Sequence, residues 1–149
     1  MQAFYTLLLA LFLAACTPTG SVSKITLPDI AGLWNSSVRQ GGQVDIIYTR
    51  INRNGDIIEY DYDGDSADRG LPCYVIETGV IRRMRDNRFL VTDDVHEDLW
   101  FEVVLEMLDN DNALQVNFID PDDPAKIQQS QIWTREADAS ILDNEPACK

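Results

Sequence analysis

"QVDIIYTRI" (43–51), "NRNGD" (52–56) and "DIIEYDY" (56–62) decide the fold. In the first and third stretches apolar and polar residues alternate. Successive side chains of an extended strand point to opposite faces, so each stretch reads as a strand with one buried face. The second carries Asn54-Gly55, the strongest short-range signal for a hairpin turn, where Gly supplies positive φ without steric cost.

The pattern continues downstream. "LWFEVVLEML" (99–108) puts Leu99, Phe101, Val103, Leu105 and Met107 on one face at period two, and its Trp, Phe and two Val favour a strand over a helix. "ALQVNFI" (113–119) does the same with Leu114, Val116 and Phe118, and "DNDN" (109–112) makes the turn between them. Further strands are expected at 31–38, 71–84, 88–93 and 129–135. Short strands with closely spaced turn signals, and no long helical pattern, specify an all-β domain, either a closed barrel or an open sandwich.

The two ends of this array carry a resemblance. "IAGLWNSS" (30–37) resembles the Gly-x-Trp opening of the lipocalin and related calycin barrels, here Gly32-Leu33-Trp34, and "QIWTRE" (131–136) offers Arg135 where those families place an Arg against the Trp. The resemblance implies a small antiparallel, up-and-down, eight-stranded barrel. Its first and last strands would meet under a guanidinium–indole contact, which removes the open sheet edges. The chain departs from the family in lacking a long first loop and a helix before the last strand, and Thr92-Asp93-Asp94 only echoes its Thr-Asp-Tyr motif. An eight-stranded interior is either filled by side chains or holds one small ligand. Tyr48, Tyr60, Tyr62, Phe101 and Phe118 are the candidates to line it, as ligand contacts or as core.

The leader speaks to location. "AFYTLLLALFLAA" (3–15) is uncharged and mostly apolar, too short for the roughly 20 residues that span a bilayer but matched to the apolar core of an export signal. Leu13-Ala14-Ala15-Cys16 resembles the lipobox of bacterial lipoproteins. That resemblance implies cleavage before Cys16, palmitate-type acylation there, and, with Thr17 following, sorting to the outer membrane of a Gram-negative cell. Residues 1–15 are then the signal peptide, 16–28 the lipidated cysteine and a flexible linker, and 29–149 the barrel domain with its C-terminal tail.

Cysteine counting agrees. Of Cys16, Cys73 and Cys148, acylation of the first leaves an even pair in an oxidising compartment, either bridged across a loop of about 75 residues or left as two thiols. A C-terminal cysteine reaching back to a middle strand is also a lipocalin habit.

Charge and motifs bound the function. The formal net charge of −13 opposes nucleic acid and anionic lipid head groups. Arg82, Arg83, Arg85 and Arg88 run against it, as an anion or acidic-partner site or as a hairpin paired with Asp93–Asp98. Asp61, Asp63 and Asp65 have the 1, 3, 5 spacing of a Ca²⁺ loop, with Asp68 as a further ligand. However, position 6 is Ser66 rather than Gly, and position 12 is Pro72 rather than the bidentate Glu. A solvated acidic loop fits these residues as well. His96, the only histidine, lies in the polar stretch "DDVHEDLW" with no G-x-S-x-G for it to serve. Phosphate-loop, zinc-spacing and dinucleotide motifs are absent. The expectation is a non-catalytic, outer-membrane-anchored binding module for a small apolar ligand. The alternatives are an assembly accessory for another envelope protein and a Ca²⁺-binding module.

Overall fold

The structure, a computed structural model, describes residues 24–94, 100–143 and 146–148. In chain order its elements are α1 (Leu27–Ile30), β1 (Gly32–Asn35), β2 (Val38–Gln40), β3 (Gln43–Asp45), β4 (Ile47–Ile51), β5 (Asp56–Tyr62), α2 (Gly64–Asp68), β6 (Tyr74–Arg83), β7 (Arg88–Asp93), β8 (Trp100–Leu108), β9 (Ala113–Asp120) and β10 (Asp123–Glu136). A 3₁₀ turn over Asp109–Asp111 joins β8 to β9, and another covers Ala139–Leu142.

Eight strands close a barrel in the order β1-β10-β9-β8-β7-β6-β5-β4, every pair antiparallel. This is the all-β, up-and-down topology that the resemblance implied. β1 serves as both first and closing strand: Trp34 pairs with Arg135 of β10 on one side and with Thr49 of β4 on the other.

Four of the expected strands differ: 31–38 ends at Asn35 as β1 and 129–135 extends back to Asp123 as β10, and two further runs change more. The 43–51 run divides into β3 and β4, because β2 and β3 pair only with each other and stand apart from the barrel. Gly41 and Gly42, at φ 56° and 92°, make that turn. At the point of departure, Ser37 Oγ accepts from the Ile47 amide at 3.0 Å, so a side chain takes the place of a ladder bond. The 71–84 run begins as a strand only at Tyr74, after the short α2 helix. Asp63 caps α2, accepting from Ser66 N at 3.1 Å and Ser66 Oγ at 2.7 Å.

Inside the barrel lies one apolar core, including Trp34, Ile51, Ile81, Phe89, Val103, Leu105, Leu114 and Val116. One end is plugged. Ile25 and Ile30 are buried there, with the Ile25 amide donating to Asn87 Oδ1 at 2.8 Å. Residues 24–28, assigned to the flexible linker from sequence, thus contribute Ile25 to the core and a capping box, with Asp29 Oδ2 accepting from Thr26 N at 2.7 Å. The folded part begins before Asp29.

Candidate binding cavity

Three groups build the closed end. The Arg135 guanidinium carbon lies 4.2 Å from the Trp34 ring centroid. Its nitrogens donate to three backbone carbonyls: Nη1 to Ala31 at 2.9 Å, Nη2 to Asp29 at 3.0 Å and Nε to Asp111 at 2.9 Å. Trp34 Nε1 donates to the Ile30 carbonyl at 2.8 Å, so the buried indole has its polar edge satisfied. Gly32, at φ 146°, leaves room for this arrangement, since a Cβ there would stand 2.5 Å from Arg135 Nη1. The sequence-derived trio Gly32, Trp34 and Arg135 is therefore one physical unit.

Above this plug the interior is partly unfilled, open toward one side. A cavity of about 220 Å³ runs between the strands, and its wall is chiefly aliphatic and aromatic, with Ile51, Ile81, Leu105, Leu114, Phe118 and Trp133 among its residues. Phe101 and Phe118 both reach it, their rings 5.6 Å apart. The tyrosines do not. Inward positions on β4 are Ile47, Thr49 and Ile51 and on β5 Ile57 and Glu59. Tyr48, Tyr60 and Tyr62 alternate with these and face outward, which corrects their assignment as ligand contacts. With Tyr74 they form an edge-to-face cluster, centroids 5.7–6.5 Å apart, packed with Leu33, Ile141 and Leu142 on the outer surface. The tail that covers them is pinned by the Cys73–Cys148 disulfide and by bonds from Tyr74 N to Pro146 O and from Cys148 N to Tyr74 O, each 2.9 Å.

Four polar side chains line the cavity. Ser36 and Thr49 share a hydroxyl contact of 2.8 Å, and Gln131 Oε1 accepts from Trp133 Nε1 at 2.8 Å. Glu59 is the fourth. Burial pushes its carboxyl above the ordinary carboxylate range, and Glu77, Asp61 and Asp93 raise it further. Sequence reading missed Glu59 because one carboxylate among 25 acidic residues gives no signal until the strand register shows which face it occupies.

The remaining candidates are dispersed. Asp63 is committed to capping α2, and Ser66 holds its carboxyl below the usual range, while Asp61 sits in the β5 ladder and Asp65 and Asp68 within α2. Among the described residues these four carboxylates do not come together as one group of ligands. Asp63 does lie beside Cys73 and Cys148, but those sulfurs are bonded to each other. Arg88 pairs with Glu102 across β7 and β8, and Arg83 Nη2 donates to the Asp86 carbonyl at 2.6 Å. Cys16 with its lipobox, Leu99 and His96 lie outside the described residues. No family model matches the chain, and no curated protein matches it.

Proposed function

We propose that the protein is a lipid-anchored carrier or sensor of a small, mainly apolar molecule, held inside the barrel. The observation that carries this reading is the hollow apolar core: about 220 Å³ left unfilled inside a closed barrel. Interiors are ordinarily packed to crystal density, and an unfilled volume destabilises by about 24 cal/mol per Å³. An apolar void of about 150 Å³ is enough to take up benzene, so this one suits a ring with a short chain. The lipobox-like Leu13-Ala14-Ala15-Cys16 supports an outer-membrane anchor at Cys16. Ile25 is buried at the plugged end, its amide bonded to Asn87 Oδ1.

Native mass spectrometry of the full chain released from its membrane tests the reading. A retained small molecule, lost from a variant with a filled interior, is expected; a barrel that stays empty and takes up no apolar probe overturns it. One observation favours a second reading, docking of another envelope protein. Trp100 is 59 % exposed and borders a surface hollow with Pro121 and Pro124. In-cell cross-linking from position 100 to a single envelope protein is the outcome expected on that reading.

A further inference from the structure

The cavity wall is not uniformly apolar, and its polar part is ordered by strand register. Thr49 of β4 pairs with Glu59 of β5, and Glu59 pairs with Glu77 of β6. Directly paired residues of neighbouring strands project from the same face, so the three side chains form one row across the barrel wall. Thr49, 1 % exposed, and Glu59 line the cavity, and Glu59 also lines a contiguous opening of about 210 Å³ with Glu77, Asp93 and Phe101. The row therefore leads from the apolar interior out to its mouth.

Its chemistry is one-sided. Carboxylates only accept hydrogen bonds when ionised. Ser36 Oγ donates to the Ile47 carbonyl at 3.2 Å, and the Thr49 hydroxyl is then satisfied as a donor to Ser36 at 2.8 Å, leaving Thr49 Oγ1 as an acceptor. Among the described residues Glu59 has no hydrogen-bond donor and no cationic partner. A carboxylate in an apolar wall beside a like charge is costly unless something neutralises it.

We infer that the cavity takes a small apolar molecule bearing a protonated amine, its hydrocarbon part among Ile57, Phe101 and Phe118 and its ammonium on the Thr49–Glu59–Glu77 row. This rests on the carrier reading and narrows its ligand class. An ammonium supplies three donors to a row of acceptors, and its charge-assisted bonds are the strong kind. The apolar end selects against hydrated inorganic cations, which gain nothing from the cavity.

The test compares 2-phenylethylamine with 2-phenylethanol, matched in size and differing in charge. Calorimetry would use the full chain in phosphatidylcholine nanodiscs, with empty nanodiscs as blank. The amine is expected to bind at least tenfold tighter. Glu59→Gln should abolish that preference, and Glu77→Gln should reduce it in part. A melting curve confirms that each variant is folded. Equal binding of the two probes, or an amine preference that survives in both variants, overturns the inference and leaves the carrier reading standing. Binding of neither probe overturns both.

Discussion

A methyl group on Gly32 would lie 2.5 Å from Arg135 Nη1, on a backbone held at φ 146°. Arg135 cannot withdraw freely, because its three donors are bound to Asp29, Ala31 and Asp111 carbonyls. Gly32→Ala is thus expected to cost about 1–3 kcal/mol through backbone strain and loss of that fan, read by urea unfolding. The Trp34–Arg135 stack should appear as coupling in a double-mutant cycle, about 0.5–2 kcal/mol. Additive single effects would show instead that the two residues act separately. Glu59 works in the opposite sense. Its folded pKa is raised, so it favours the fold while protonated, and that contribution is lost as pH rises through the raised value. Above that raised value the ionised carboxyl faces Glu77, a cross-strand carboxylate whose repulsion is worth roughly 0.2–1 kcal/mol. Glu59→Gln should therefore stabilise the empty protein by about that much at a pH above the raised value. The gain should vanish in melts near the ordinary glutamate pKa of about 4.3.

At the scale of elements, what could be read in advance was what local alternation and turn chemistry control. The strands of the β4–β5 and β8–β9 hairpins lie where period two places them, with Gly55 at φ 95° in the first turn and Asp109, Asn110 and Asp111 all left-handed in the second. Facing was harder to read. Ile46, Ile47 and Tyr48 are consecutive, as are Ile57 and Ile58, so both faces of that ribbon look apolar in sequence. Only the non-local pairing of Trp34 with Thr49 settles it, turning Tyr48 outward. The outer face is apolar because a tail from the far end of the chain covers it, a contact with no local signature. That covering makes a prediction. Cys148→Ser should cost about 2–4 kcal/mol, as for a long-loop disulfide. It should also speed hydrogen exchange at the Tyr74 and Cys148 amides, which bond to and from the tail. The tail lies outside the barrel, so apolar-probe binding in the interior is expected to stay unchanged. A parallel loss of binding would mean that the tail also shapes the cavity.

For the whole molecule, the decisive asymmetry is between a plugged end and a hollow middle. Ile25, Ile30, Trp34 and Phe89 at and near the plug are at most 5 % exposed, whereas a partly open space of about 220 Å³ lies between the strands above. A barrel whose only task was to present a surface would gain by filling that space, because deleted core volume is costly and a well-fitted side chain recovers part of it. Val116→Phe puts this to the test, since Val116 is 2 % exposed and its side chain borders the cavity. The added ring enters existing space, so the variant should hold or gain about 1 kcal/mol of stability, seen as a higher melting temperature. It should also lose affinity for 2-phenylethanol by an order of magnitude or more. Greater stability joined to lost binding would mean that the hollow is kept for a ligand at the expense of stability. A lower melting temperature would mean instead that the interior cannot accept a ring, and that its free volume is narrower than the ligand argument needs.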